Sequence, residues 1–394
     1  MTPAARAQAA IELLDQIVVA ARQGGAAADT LIARYFKTRR YAGAKDRRAV
    51  RELVYRAIRR AGECPVSGRA AMLGVAAEDP DVAAAFDGSA HGPPAIGKAE
   101  RPAVAGVAPA WLAERLARGL DAAGMAALLG RAPLDLRVNR MRARREDVLP
   151  QVPGATPTPL SPDGLRLPEG THVDTLDVWA QGLVEVQDEG SQLVTRAARA
   201  MPGMTIVDLC AGAGGKTLAL AAAMDGAGRL IACDADRGRL SRLAPRAQRA
   251  GADHIETRLL DAGREQEALA DLAGLADVVL VDAPCSGTGT WRRNPEARWR
   301  LSVDRLARVA ALQARLLDLG AELVRPGGHL VHIVCSLLDE EGADQVDAFL
   351  ARHPGWRADT DPIREGRARG PGKRLTPAED GTDGFFVARL ERAC

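Results

Sequence analysis

No stretch of the 394-residue chain approaches the roughly 20 uncharged apolar residues that a bilayer-spanning helix requires. Glu12 and Asp15 interrupt the only N-terminal segment that imitates a signal peptide, so the expected location is the cytoplasm. The six cysteines, at 64, 210, 233, 285, 335 and 394, include no C-x-x-C pair and share no zinc-ligand spacing with the six histidines; this argues against a disulfide framework or a structural metal. Lysine is scarce, with residues 37, 45, 98, 216 and 373 the only five among 53 basic side chains, as a bias of base composition would produce. A net charge of +2 excludes a polybasic tail protein, and no internal repeat or low-complexity tract is visible. What is present is 47% hydrophobic residues over a length that suits two or three domains at about 150 residues each.

Residues 1–88 carry helical periodicity, as in Ile11, Leu13, Leu14, Ile17 and Val18, then Leu31, Ile32 and Tyr35, then Val50, Leu53, Val54 and Ile58. Between Arg34 and Arg60 eleven Lys and Arg face only Asp46 and Glu52, a local excess that suits either a solvated helix face or a phosphate-contacting surface. Residues 89–109 are rich in Gly and Pro and read as a linker. Residues 110–180 combine an amphipathic segment (Trp111, Leu112, Leu116, Leu120) with an alternating strand, Leu134–Val138, which predicts a small α+β subdomain. From residue 181 to 394, apolar runs at Thr205–Leu209, Arg229–Cys233, Ile255–Leu260, Asp277–Val281 and His329–Val334 alternate with helical patterning. That alternation predicts an α/β domain with a mostly parallel sheet covered on both faces.

The first of these strands runs into Asp208-Leu-Cys-Ala-Gly-Ala-Gly-Gly-Lys-Thr217, where Gly212, Gly214 and Gly215 let a ligand approach the backbone N–H groups at a helix start. Gly215-Lys216-Thr217 imitates the end of a nucleotide-triphosphate loop, but Cys210 stands where that loop needs glycine. The next three strands end at Asp234, Asp261 and Asp282. A row of carboxylates thus reaches the sheet edge at which open α/β folds bind ligands, with Asp234 suited to ribose hydroxyls and Asp236 its substitute. An isolated Asp at such a place is often only a helix cap; three after a Gly-rich turn favour a functional row. Cys285 follows Asp282, and Cys335 ends the fifth strand. Lys216, Arg292 and Arg293 are candidates to supply the positive charge that a reactive thiolate needs.

These residues resemble a family. DLCAGAGGKT, DAPCSGTG followed by RRNPEARW, Cys335-Ser336, GLVEVQDEGSQ (Gly182–Gln192) and DGFFVARL (Asp383–Leu390) are together similar to the bacterial RsmB/Sun-type RNA (cytosine-5) methyltransferases, over residues 110–394. Residues Leu31–Phe36 (LIARYF) and Lys45–Arg60 resemble the NusB-like helical RNA-binding domain that often precedes them. The resemblance implies a Rossmann-like domain binding S-adenosyl-L-methionine. Its methionine part would lie on Cys210, Ala211, Gly212, Ala213, Gly214, Gly215 and Lys216, its ribose on Asp234 and its adenine near Asp261. Asp282 would lie between cofactor and target base, Cys335 would be the nucleophile, and Cys285 the second cysteine that assists product release. No metal is implied, and the expected partner of the monomer is RNA, ribosomal RNA foremost. The chain departs from the family pattern at Gly212-Ala213, where Ala-Pro is usual, at Val334 for Thr and at Gly342 for Asn. Loss of the proline predicts a more flexible cofactor loop.

The chemistry explains why two cysteines are wanted. Cytosine C5 is too weak a nucleophile to take a sulfonium methyl until a thiolate adds at C6. A second proton-handling group must then remove the C5 proton, and Asp282 can stabilise the adduct by favouring protonation at N3. The base must also be unstacked, with Arg292, Arg293, Arg298 and Arg300 candidates to hold the surrounding phosphates. Two other readings use the same sheet: a noncatalytic RNA-binding assembly factor, which has no need of Cys285 and Cys335, and a small-molecule methyltransferase, which has no need of basic helices.

Overall fold

The computed structural model describes residues Met1–Cys394, which divide into two compact units. The first comprises Met1–Arg131 and Thr290–Val303; the second comprises Ala132–Gly289 and Asp304–Cys394. No helix is long and apolar enough to cross a membrane.

The first unit is built on α1 (Pro3–Gln23), α2 (Ala28–Thr38), α3 (Ala44–Arg60) and α4 (Gly68–Ala76). Thr2 starts α1 by accepting from Ala5 N at 3.1 Å, Pro3 suits the first turn, and Gly24 ends the helix at φ 73°. Ile11, Leu13, Leu14, Ile17 and Val18 of α1 are buried with Val50, Val54 and Ile58 of α3 and Met72 of α4, each side chain contributing about 1.5–3 kcal/mol of transfer free energy. Two short helices, α5 (Pro80–Ala84) and α6 (Ala110–Leu116), and then α7 (Ala122–Ala127) complete the N-terminal part. The stretch read as a linker is a strap in this unit. Ala103 N donates to Ala70 O at 2.8 Å, Gly106 N to Arg60 O at 2.9 Å, and Arg69 pairs with Glu100 at 2.8 Å. Residues 110–131, assigned from sequence to an α+β subdomain, also fall in the helical unit.

The second unit holds two sheets. A four-stranded antiparallel sheet has the order β2-β3-β1-β4, from β1 (Leu134–Val138), β2 (Thr156–Pro157), β3 (Gly164–Leu167) and β4 (Val184–Val186), closed over Leu136, Val138, Leu165 and Val184. The larger sheet contains β5 (Thr205–Asp208), β6 (Arg229–Asp234), β7 (Glu256–Leu259), β8 (Ala276–Asp282), β9 (Val324–Val334), β10 (Trp356–Ala358), β11 (Arg367–Arg369), β12 (Gly372–Leu375) and β13 (Phe385–Arg392). Its order is β11-β12-β13-β9-β8-β5-β6-β7, with β10 also on β13. β7, β6, β5, β8 and β9 run parallel, and β13 lies antiparallel to β9. Ile206, Leu218, Leu230 and Val331 join one apolar layer; Val207, Ile231, Val279 and Leu317 join the other. Successive residues enter opposite layers, and burial of both faces explains why these strands read as continuous apolar runs.

Candidate active site

The chain winds outward from β5 through β6 to β7, then returns to place β8 and β9 on the other side of β5. The reversal makes β5 and β8 the switch point, and the crevice outside the strands' carboxyl ends is where such sheets take ligands. Asp208 ends β5, Asp234 ends β6, Asp282 ends β8, and Cys335 follows β9.

The loop after β5 is firmly held. Gly212 adopts φ 56°, a left-handed conformation that favours glycine, and its N–H donates to Asp234 Oδ2 at 2.7 Å. The other Asp234 oxygen accepts from Asp236 N at 2.7 Å, and Arg246 donates to Ala213 O at 2.5 Å. Two hydrogen bonds, from Gly212 N to Asp234 and from Arg246 to Ala213 O, hold the loop where the proline ring is missing. Gly214, at φ 86°, caps the helix Gly215–Ala223. Asp261 stands exposed beyond β7 and outside this bonded loop.

Lys216, buried on the first turn of that helix, reaches Asp282 Oδ2 at 2.7 Å and lies 5.5 Å from the Phe385 ring centroid. Burial disfavours its ammonium, but the charge and hydrogen bond of Asp282 more than offset this, and its pKa is raised. One turn inward, Asp208 is fully buried and accepts from Thr217 Oγ1 at 2.7 Å; burial pushes its pKa up to about 7. Asp208 and Thr217 both lie within the DLCAGAGGKT motif. Their spacing is that of a strand end and the first turn of its helix.

Cys285 and Cys335 come together with Sγ atoms 3.1 Å apart. The hydrogen bond to Cys335, then burial, holds the Cys285 pKa well above the usual thiol range. Burial likewise keeps Cys210 a thiol. Beneath the sulfurs lies a polar cluster that sequence reasoning missed: Ser286, Thr288, Gln313, Ser336 and Glu341, with His332 beside it on β9. Burial lowers the His332 pKa to about 4, so the ring is neutral. The departures from the family pattern fit their places. Val334 is wholly buried among apolar side chains, where a hydroxyl has nothing to gain, and a Cβ on residue 342 would stand 2.8 Å from the Phe386 ring.

Two of the arginines expected to hold phosphates have structural work in the first unit. Arg298 is fully buried and donates to Ile58 O at 2.6 Å and Ala61 O at 2.9 Å, satisfying carbonyls at the C-terminal end of α3; burial lowers its pKa to about 9. Arg300 donates to Gly25 O at 2.6 Å and Ala26 O at 2.7 Å. Glu296 completes the pattern by accepting from Ala28 N at 2.9 Å, at the positive end of α2.

Residues 198–391 match the family model described as 16S rRNA methyltransferase RsmB/F. The chain is 36% identical over 270 residues to the probable ribosomal RNA small subunit methyltransferase B of Synechocystis sp., an alignment covering 66% of this chain and 60% of that protein. It is 36% identical over 291 residues to ribosomal RNA small subunit methyltransferase B of Xylella fastidiosa, covering 72% of this chain and 68% of that one. The chain thus spans about 60% of the length of the first curated relatives it matches. Among solved structures, PH0851 superposes with a TM-score of 0.78 at 24% identity, covering 100% of this chain and 99% of that one. A methyltransferase homolog protein from Pyrococcus horikoshii gives 0.62 at 25% identity, covering 72% and 94%. The motifs at the switch point, the matched domain and these relatives agree, and the chain belongs to the RsmB/F family of 16S rRNA methyltransferases.

Proposed function

We propose that the protein transfers a methyl group from S-adenosyl-L-methionine to C5 of a cytosine in ribosomal RNA, through a covalent bond between Cys335 and C6. The observation that carries this reading is the 3.1 Å approach of Cys285 and Cys335 on adjacent strand ends, beside the Lys216–Asp282 pair.

The residues fit the cofactor. Two glycines at positive φ open the backbone of the loop Cys210–Lys216 for the methionine part, and Asp234 sits on that loop with acceptor capacity remaining for ribose hydroxyls. Asp261 would border the adenine. When bound, the cofactor supplies an electrophilic sulfonium methyl.

The chain's own residues do the rest. The Cys335 thiolate, favoured by the ammonium of Lys216, adds to C6, and the displaced electron pair makes C5 nucleophilic. Lys216 takes Oδ2 of Asp282, leaving Oδ1 to hydrogen-bond the base and favour the N3-protonated adduct. After the methyl has joined C5, Cys285 or a water beside it takes the C5 proton. The C5–C6 double bond re-forms, the S–C6 bond breaks, and Cys335 leaves as thiolate. Once Cys335 is a thioether, the hydrogen bond that held Cys285 protonated is lost, so Cys285 can release its proton to solvent and act as the thiolate base when one is needed.

RNA contact by the first unit belongs to the same proposal. Arg39, Arg51, Arg56 and Arg60 are paired with Glu12, Asp29, Asp79 and Glu78. Arg34, Lys37, Arg40, Lys45 and Arg48 are exposed on the same stretch of chain as Tyr41, itself 73% exposed, a composition that suits phosphate contact with a base-stacking ring. The test is transfer of radiolabel from S-adenosyl-L-methionine to ribosomal RNA. Wild type is expected to label ribonuclease-sensitive material and Cys335→Ala to label none while retaining cofactor binding. Normal turnover by Cys335→Ala would overturn the reading.

A further inference from the structure

We propose that Glu341 is the positioning residue that sets the separation of the two thiols, gripping the Cys285 loop more firmly than the Cys335 turn. The inference rests on the reading of Cys335 as nucleophile and Cys285 as the thiol that frees the product.

The Glu341 side chain is fully buried and takes four donors. Oε1 accepts from Ser286 N at 2.7 Å and Gln313 Nε2 at 3.1 Å. Oε2 accepts from the Ser286 hydroxyl and from Ser336 Oγ at 2.5 Å. Four donors fill the acceptor capacity of a carboxylate. Ser286 follows Cys285 and Ser336 follows Cys335, so one charged group grips both turns a single residue from each sulfur.

The clamp is itself anchored. Glu341 O lies 2.9 Å from His332 Nε2, and a carbonyl only accepts, so the neutral imidazole carries its proton on Nε2. Thr288 Oγ1 lies 3.1 Å from Ser336 Oγ; since the Ser336 proton goes to Glu341, Thr288 is the donor there. Gln313 Nε2 also donates to Pro284 O at 2.8 Å, on the other side of Cys285. Two of the four carboxylate bonds therefore end on Ser286, and the Gln313 bridge holds the residue before the thiol. Ser336 receives one. Hydrogen bonds to a buried carboxylate are among the strongest a side chain makes, so loss of its charge should release Cys285 first.

Glu341→Gln keeps the shape but turns an amide donor toward groups that also donate. Its turnover on ribosomal RNA is expected to fall about 100-fold, as when a reacting group moves by about 1 Å. KM for RNA and cofactor affinity should hold. Because the releasing thiol is the one displaced, a denaturant-resistant protein–RNA adduct should accumulate, as in Cys285→Ala; an unfolded protein forms no adduct. A second reading needs no turnover: phenylarsine oxide should bridge the two thiols of the full-length wild type and lose that bridging in Glu341→Gln, with Cys285→Ala as the zero. Glu341→Asp, which keeps the charge, should recover part of both signals. Ser286→Ala removes one donor and leaves the carboxylate, giving a milder version of the same phenotype should Glu341→Gln fail to fold. Normal turnover, no adduct and wild-type bridging in Glu341→Gln and Ser286→Ala would overturn the assignment. Absence of adduct in Cys285→Ala together with normal turnover in Cys335→Ala would instead overturn the reading on which it rests.

Discussion

Gly384 donates its backbone N–H to the carbonyl of Gly289 at 2.8 Å, and Gly289 in turn donates to the carbonyl of Cys335 at 3.0 Å. Strand β13 thereby supports the turn that carries one sulfur from the loop that carries the other. A Cβ on residue 289 would fall 2.0 Å from Gly384 O, and that obstacle is backbone, which does not yield. Gly289→Ala is expected to cost about 1–3 kcal/mol in urea unfolding, as overpacking does, and to lower kcat more than it changes KM. Unchanged stability and rate would show that the two backbones are not held in this contact.

The Cys335 sulfur bears on the chemistry of Cys285. The Cys285 pKa is raised first by its hydrogen bond to Cys335 and then by burial. Removing the partner in Cys335→Ala takes away the larger cause, so the pH profile of Cys285 alkylation by iodoacetamide, followed by peptide mass spectrometry, should move toward lower pH. An unmoved profile would mean that the sulfurs do not share a proton.

Asp208 gives stability a pH dependence of definite sign. Its pKa rises from an ordinary 3.8 to about 7 on folding because burial disfavours the charge. The native state thus binds this proton more tightly than the unfolded chain, and the contribution of Asp208 to stability falls as pH rises through that window, by at most about 1.4 kcal/mol per pH unit. Asp208→Asn should lose this slope, so the difference between wild-type and variant urea midpoints should itself change with pH, the variant becoming relatively more stable toward neutral pH. A difference independent of pH would contradict the assignment.

Arg298 and Tyr41 separate stability from RNA contact in the helical unit. Arg298→Met leaves buried carbonyls without donors and is expected to destabilise by about 3 kcal/mol, with faster amide exchange in Ala44–Arg60. Tyr41→Ala with Arg40→Ala and Lys45→Ala should leave exchange alone, weaken RNA binding and flatten its dependence on salt. Deleting residues 1–90 is a poorer test, because Trp299 packs in the core of α1 and α3 and would lose its partners. Equal RNA affinity and salt slope in the triple variant would leave those cations as a solvated face.

The parallel strands were legible because each is a short apolar run punctuated by Gly or Asp, and their boundaries fall within a residue or two at Asp208, Asp234 and Asp282. Strand β9 extends back to Val324, where Pro326 and Gly327 broke the pattern. Strand β13 lay in view as DGFFVARL, but a motif does not reveal that it pairs with β9 and braces Gly289. The two sulfurs were legible as chemistry, and their 3.1 Å approach depends on adjacency of β8 and β9 that no local signal encodes. Glu341 stands in the sequence only as one of two adjacent glutamates, Glu340 and Glu341, since burial is a property of the fold. Arg298 was misjudged for the same reason: composition marks it as cationic, whereas its partners Ile58 and Ala61 lie some 240 residues earlier in the chain.

The central claim is that Cys335 bonds to the base and Cys285 lets it go. RNA carrying fluorine at C5 of its cytosines offers no proton for the second step, so methyl transfer should leave the chain bound to the ring. Digestion and mass spectrometry of the product are expected to find the modified nucleotide on the peptide containing Cys335 in wild type and to find no conjugate in Cys335→Ala. A nucleotide attached to Cys285, or methylated RNA released with no trapped protein, would contradict the account.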